Sequence, residues 1–408
     1  MRKDNIPEIE ITLKGHRNEV MALDFMPSGE QLVSVSSDGS VIYWNLIEDS
    51  RKHTSCYRLL AHKDIVFAVN CAANGSYFLT ASRDKSIRLW KVDENEKPSP
   101  NSITYKCPAT VRAVDSSPDC EYFCSAHDDK TVKLWSSLHT NKYICSLLGH
   151  CNWVRCCKYS RSKRCLIASC GDDSSICLFD TREKQRIAKV TASTYAHFLN
   201  LDWYPKSDSL LAVSSQDASI RIYDIRMNKL IQYYSAHNQS VNAVSIHPSG
   251  GYLLSSSSDE TSKIFDLLEG RILFTLRIHK GTVFTCKFSP DGETFATAGS
   301  DKVVNIWKSN LLSTSRTEKS NAPFATEYID FIPKPQSLSE VVFNKRDSGE
   351  SNYQDVIDLE PSVREQDNQI KTESSLQIII NQLSKLTETV CSLEERITRL
   401  EREVAKQN

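Results

Sequence analysis

Residues 279–307 read His-Lys-Gly-Thr-Val-Phe-Thr-Cys-Lys-Phe-Ser-Pro-Asp-Gly-Glu-Thr-Phe-Ala-Thr-Ala-Gly-Ser-Asp-Lys-Val-Val-Asn-Ile-Trp. The apolar runs are short and rich in β-branched and aromatic residues, and Pro290-Asp291-Gly292 separates two of them as a turn. The same order recurs along the chain. Aromatic residues close a short run at Trp44, Trp90, Trp135, Phe179, Tyr223, Phe265 and Trp307, in steps of 46, 45, 44, 44, 42 and 42 residues. Six residues before each stands an aspartate: Asp38, Asp84, Asp129, Asp173, Asp217, Asp259 and Asp301. Five copies also begin on a histidine (His16, His62, His150, His237, His279), where the third and fifth have Cys107 and Thr194.

A fixed period of this length marks a repeat architecture. Val-Ile-Tyr-Trp (41–44), Ile-Arg-Leu-Trp (87–90) and Val-Asn-Ile-Trp (304–307) read as strands, and Pro27-Ser28-Gly29 and Pro248-Ser249-Gly250 as turns. Four short strands per period, seven times over, resemble the WD-repeat β-propeller. The expected fold is therefore all-β over residues 8–308, seven-bladed, with Glu8 to Leu13 closing blade 7 and removing an open sheet edge.

The 408 residues carry 50 Lys plus Arg against 51 Asp plus Glu, a net charge of −1. That balance hides segments: residues 1–310 hold 38 basic and 34 acidic side chains, residues 311–373 hold 7 and 12, and residues 374–408 hold 5 of each. No basic arm points to nucleic acid. The opening Met-Arg-Lys-Asp-Asn-Ile-Pro has no apolar stretch and no run approaches 18 apolar residues, which reads as a soluble cytoplasmic protein. The 14 cysteines include no Cys-x-x-Cys pair, so free thiols are expected and no metal or cofactor site.

The histidines, hydroxyls and aspartates invite an enzymatic reading: His16, Ser34, Asp38 and Trp44 look like a hydrolase triad beside an aromatic wall. The set recurs as His62, Thr80, Asp84, Trp90 and as His279, Thr297, Asp301, Trp307. Catalysis needs one such constellation; a set repeated in register belongs to the scaffold. Each is expected to form a buried hydrogen-bond chain, with blades 3 and 5 the softer ones for lack of histidine. No Gly-rich phosphate loop, His-Glu-x-x-His or Gly-x-Ser-x-Gly is present, and the expected protein is not an enzyme.

Binding is expected on the two faces instead. One face collects Phe67, Arg83, Arg112, Asp128, Trp153, Arg155, Asp172, Gln216 and Phe284, with Trp153 and Arg155 the strongest pair because Trp and Arg dominate interface hot spots. The other face has a basic sector at Arg161, Lys163, Arg164, Arg182, Lys184 and Arg186, extended by Lys206, Arg226 and Lys229. Blades 1 and 2 are acidic there, at Glu30, Glu48, Asp49, Asp93, Glu94 and Glu96. Such polarity suits docking on an acidic surface; the alternative is a solvated edge guarded by lysines.

Residues 309–373 read as a flexible linker rich in polar residues and interrupted by Pro333 and Pro335. A heptad follows over 374–407: Leu376, Ile379, Leu383, Leu386, Val390, Leu393, Ile397, Leu400 and Val404 step by alternating 3 and 4. That averages 3.5, the coiled-coil period, and mostly β-branched a with Leu at d favours a parallel homodimer.

A WD propeller, a linker and a terminal segment Leu-Gln-Ile-Ile-Ile-Asn-Gln-Leu-Ser-Lys-Leu-Thr-Glu-Thr-Val-Cys-Ser-Leu-Glu-Glu-Arg-Ile (376–397) together resemble the proteome-of-centriole-one family. The resemblance implies a structural protein of centrioles and basal bodies, within the cytoskeleton, that associates with microtubule-wall components (tubulin being one candidate) and supports centriole stability and cilium formation. A second expectation comes from Phe179-Asp180-Thr181-Arg182 and Tyr223-Asp224-Ile225-Arg226, which resemble the Trp-Asp-x-Arg ending of substrate receptors for cullin-type ubiquitin ligases.

Overall fold

The computed structural model describes residues 6–46, 56–93, 97–139, 142–161, 163, 165–192 and 196–311. The heptad, most of the linker, Thr194, Arg164 and four of the acidic residues expected on blades 1 and 2 (Glu48, Asp49, Glu94 and Glu96) lie outside the described residues, and the coiled-coil expectation lies there with them.

The described chain forms 28 strands in seven four-stranded antiparallel sheets. Six sheets are built from consecutive strands. The seventh has the order Glu8–Lys14, Val303–Lys308, Thr294–Gly299, Val283–Phe288, so the first strand of the chain is the outer strand of the last blade. Ile9 pairs with Trp307 and Leu13 with Val304. The innermost strands (Val20–Phe25, Val66–Cys71, Val111–Ser116, Val154–Tyr159, Phe198–Trp203, Val241–Ile246 and Val283–Phe288) each touch the next, and the last touches the first. This is a closed seven-bladed β-propeller.

The core lies between adjacent sheets. The second and third strands are buried on both faces, for example Gln31–Ser36 and Ser175–Asp180, which is why they read as near-continuous apolar runs. Outer strands expose one face and alternate instead. Aromatics pair across the second and third strands: Phe78 stacks on Trp90, Phe123 on Trp135 and Phe295 on Trp307, at centroid separations of 6.1, 6.2 and 5.5 Å. Each fully buried large side chain of this kind contributes about 1.5–3 kcal/mol by leaving water.

The turn between second and third strands is the same in all seven blades. The residue after each turn aspartate has positive φ: Gly39, Lys85, Lys130, Ser174, Ala218, Glu260 and Lys302. Six of these are not glycine. The aspartate holds the turn by accepting the backbone N–H two residues on, at 2.9–3.3 Å from Ser40 through Val303. A side chain that replaces a backbone acceptor in this way stabilises the left-handed turn.

Candidate protein-binding sites

The turn aspartates also organise the buried polar chains. In blade 2, Trp90 Nε1 donates to Thr80 Oγ1 (3.1 Å), Thr80 meets His62 Nε2 (2.9 Å), and His62 Nδ1 meets Asp84 Oδ2 (3.0 Å). Blade 7 repeats it through Trp307, Thr297, His279 and Asp301 at 3.0, 2.8 and 2.8 Å. Protons run one way along such a chain: the indole N–H to the hydroxyl, the hydroxyl to Nε2, and Nδ1–H to the carboxylate. Blades 4 and 6 keep the His–Asp and His–Ser contacts but end on Phe179 and Phe265, which donate nothing.

Blade 1 departs from the expected order. His16 Nε2 meets Ser34 at 2.7 Å and Trp44 donates to Ser34 at 2.8 Å, but His16 Nδ1 faces Ser40 rather than Asp38. Arg58, from the outer strand, donates to Asp38 Oδ2 at 2.8 Å and takes the oxygen that histidine uses elsewhere. Burial, with Asp38 opposing and Arg58 adding, lowers the His16 pKa to about 4. At His150 burial is outweighed by the direct hydrogen bond to Asp173, and the pKa rises to about 9.

Blades 3 and 5 are not empty where histidine is missing. In blade 3, Ser125 bonds His127 Nε2 (2.8 Å) and accepts from Trp135 (2.8 Å), while Lys133 donates to Asp129 at 2.7 Å. In blade 5 the buried Arg221 donates to Asp217 at 2.5 Å and lies over the Phe198 and Tyr233 rings. The cation four residues after the aspartate thus stands in for the imidazole. Sequence reading overlooked this, although Asp129-x-x-x-Lys133 and Asp217-x-x-x-Arg221 were visible as pairs on one side of a strand.

A second network ties the blades at the axis. The fifth residue of each innermost strand is Asp24, Asn70, Asp115, Lys158, Asp202, Ser245 or Lys287. Five of the seven accept a backbone N–H of the next blade: Asp24 from Cys71, Asn70 from Ser116, Asp115 from Tyr159, Asp202 from Ile246 and Ser245 from Phe288, at 2.8–3.2 Å. Lysine cannot accept, so Lys158 approaches Asp115 (3.9 Å) and Lys287 approaches Asp24 (3.8 Å) across the closure. Burial raises the Asp115 pKa, opposed by Lys158; Lys158 itself is raised by Asp115 and Asp202 against burial. These residues line an axial cavity of about 380 Å3. Their side chains hold backbone N–H groups of the next blade, and Asn70 donates to Asp115 across the same junction, so the ring is a clasp. Repeat alignment of the fifth position was the signal that could have revealed it.

On the upper face, which carries the aspartate turns, six of the expected residues come together: Phe67, Arg112, Asp128, Trp153, Arg155 and Asp172. Arg112 stacks over Phe67 (4.5 Å to the ring centre) and approaches the Trp153 ring (5.4 Å), and Arg155 approaches Trp153 from its own strand (5.3 Å). Each guanidinium is held in two-point contact by a carboxylate, Arg112 by Asp128 (2.8 and 3.1 Å) and Arg155 by Asp172 (2.8 and 2.7 Å). Trp153 remains 43% exposed. The result is a rigid, charge-balanced aromatic patch over blades 2 to 4. Arg83 is outside it, near Asp64 (3.8 Å), while Phe284 belongs to blade 7 and Gln216 to blade 5.

On the lower face Lys163 and Lys184 are exposed, Arg161 approaches Asp202 (3.7 Å), and Arg182 is 76% exposed with its Nη2 3.0 Å from Asp180. Arg226 lies similarly near Asp224 (4.0 Å), and Arg186 is turned to the Gly149 carbonyl (3.1 Å). Both arginines of the ligase-like endings therefore contact the aspartate of their own strand. The 13 described cysteines are free, and among the described residues no group of three or more His, Cys, Asp or Glu is placed to hold a metal ion.

A family profile described as WD domain, G-beta repeat matches residues 8–45, 53–91, 101–136, 141–180, 228–266 and 270–308, more than half of the chain. It passes over the blade 5 repeat, where Val213 and Arg221 replace the usual hydroxyl and histidine contacts. The chain is 23% identical over 245 residues to the guanine nucleotide-binding protein subunit beta of Oryza sativa subsp. japonica, covering 59% of this chain and 53% of that protein. It is 47% identical over 47 residues to POC1 centriolar protein homolog A of Danio rerio, 12% of this chain and 11% of that one. With the Lissencephaly-1 homolog of Caenorhabditis briggsae it shares 28% over 123 residues, 29% of this chain and 30% of the other. The chain spans about half the length of the rice protein. Sheet order, polar chains and profile agree that this chain belongs to the WD domain, G-beta repeat family.

Proposed function

We propose that this WD-repeat protein is a non-enzymatic scaffold of centrioles and basal bodies, binding protein components of the microtubule wall and supporting centriole assembly, stability and cilium formation. The observation that carries the scaffold part is the Phe67–Arg112–Trp153–Arg155 stack. Its arginines are already immobilised by Asp128 and Asp172, so a partner meets a preorganised aromatic surface and little side-chain entropy is lost on binding. The recurring His–Asp sets, by contrast, are tied into the sheets and carry no reaction.

The centriolar part is supported by the local identity to the zebrafish centriolar protein and by the resemblance of residues 376–397. In this reading the heptad at 374–407 pairs two chains, which raises avidity for a repetitive lattice without any new contact. The lower basic sector faces the acidic wall.

The direct test is the position of a tagged full chain in dividing cells, expected at centrioles and basal bodies. Co-pelleting with microtubules is the biochemical counterpart. Charge reversal at Arg161, Lys163, Arg164 and Lys184 is expected to weaken pelleting several-fold at low salt; unchanged pelleting removes the basic-sector mechanism.

A further inference from the structure

The outer strands of blades 3 to 6 each contain one bulge, and the extra residue is aliphatic every time: Ile144, Ile187, Ile231 and Leu273. A bulge re-aims the side chain it carries. Ile144 and Leu273 are packed against the buried core. Ile187 and Ile231 are 58% and 52% exposed at the equivalent places. Of these two, Ile187 stands at a groove of about 400 Å3 between blades 4 and 5, floored by Leu166, Leu178, Ala188 and Ile225. Clefts of this size accept small ligands or a few side chains. The covering that the same bulge receives in blades 3 and 6 is absent here.

The rim of the groove states the chemistry of what covers it. Lys163 and Arg226 line it and are exposed; the one lining carboxylate, Asp208, accepts the Ser160 hydroxyl. On the lower-face turns of blades 4 and 5, Arg161, Arg182 and Arg226 face Asp202, Asp180 and Asp224, and Lys163, Lys184 and Lys206 add three positive charges against Glu183 and Asp208. An apolar slot in a net positive field selects a chain that is apolar and acidic at once.

We propose that the groove between blades 4 and 5 receives an acidic, amphipathic segment of a partner protein. An aliphatic side chain of that segment covers Ile187, and its carboxylates face Lys163 and Arg226. The inference stands on the groove alone and does not depend on the centriolar reading.

The test uses the full chain and two fluorescein-labelled peptides of equal charge, (Asp-Leu-Glu-Ile)3 and (Asp-Ala-Glu-Ala)3, by fluorescence anisotropy. The leucine/isoleucine peptide is expected to bind about tenfold or more tightly than the alanine peptide, the effect of burying roughly one aliphatic side chain. Ile187→Glu should abolish that difference, whereas Leu230→Glu, at a residue 47% exposed on the blade 5 outer strand, should preserve it. Lys163→Glu with Arg226→Glu should weaken the binding of both peptides and flatten its salt dependence. Equal binding of the two peptides, or a difference that survives Ile187→Glu, overturns the proposal. A difference that emerges only after removal of residues 312–408 gives the groove to the chain's own terminal segment, and a mass by light scattering that halves in Ile187→Glu gives it to a second copy; either result overturns the partner assignment. Microtubule pelleting of Ile187→Glu is read separately, so loss of one result leaves the other standing.

Discussion

At the scale of single residues, one aspartate per blade does two things, and the two can be separated. Asp84 holds its turn through the Ser86 N–H and also accepts from His62 and from the Lys63 N–H. Asp84→Ala strands a buried imidazole and two backbone donors, and urea unfolding should show a loss of about 2–4 kcal/mol. Asp84→Asn keeps the turn acceptor and should recover part of it. The histidines differ in their pH response. His150 is raised above its unfolded value, so its contribution is complete below about pH 6.5 and is lost as pH rises through about 9. His16 is depressed, so its neutral state is undisturbed above about 6.5 and is penalised as pH falls towards about 4. The stability difference between the natural protein and His150→Gln should therefore be larger at pH 6 than at pH 9.5, by on the order of 1–3 kcal/mol. A difference independent of pH would contradict the charged His150–Asp173 pair.

At the scale of the blade, where the histidine is missing the cation four residues after the aspartate turns onto that aspartate, whereas Lys263 of the His-bearing blade 6 donates to the Ala236 carbonyl instead. Arg221 is buried, bonds Asp217 and covers two aromatic rings. Arg221→Ala should destabilise by about 2–4 kcal/mol, because it leaves Asp217 without its cation and opens space beside Phe198. Hydrogen exchange should rise first in the blade 5 strands Leu210–Ser215 and Ser219–Asp224. Exchange rising equally in all blades would mean that the substitution acts on ring closure instead. The turns offer a gain rather than a loss. Glu260 has φ 67°, which costs a side-chain-bearing residue about 1 kcal/mol, so Glu260→Gly should raise the melting temperature slightly. The two softer blades expected from the sequence were inferred from missing histidines. The cations were visible in the sequence, but that they turn onto the aspartates came into view only with the side-chain geometry.

At the scale of the whole molecule, stability depends on closure. The outer strand of blade 7 is contributed by residues 8–14, and the axial clasp crosses the same junction through Lys287 and Asp24. Deleting residues 1–14 removes the ladder partner of Val303–Lys308, uncovers Ile306 and Trp307, and creates an exposed edge. Light scattering should show concentration-dependent aggregation at temperatures where the complete chain is monodisperse at its own assembly size. The axial ring also explains why the blades are held in a fixed rotation: five side chains each cap a backbone N–H of the neighbour, which fixes one register of blade against blade.

Blade number, the Asp and His positions and the joining of the first strand to the last sheet were legible because each rests on a local pattern repeated at a fixed spacing. Four upper-face residues, Phe67, Arg112, Trp153 and Arg155, were legible as candidates for the same reason. Their assembly into one stack was not, since they come from three different innermost strands and meet only when the ring closes. The same holds for Arg58 displacing His16 from Asp38, for the axial clasp and for the uncovered Ile187. Periodicity along the chain determines which strands form and which way each face points. What one strand or blade presents to the next depends on side chains 20 to more than 40 residues apart, and only packing brings those together.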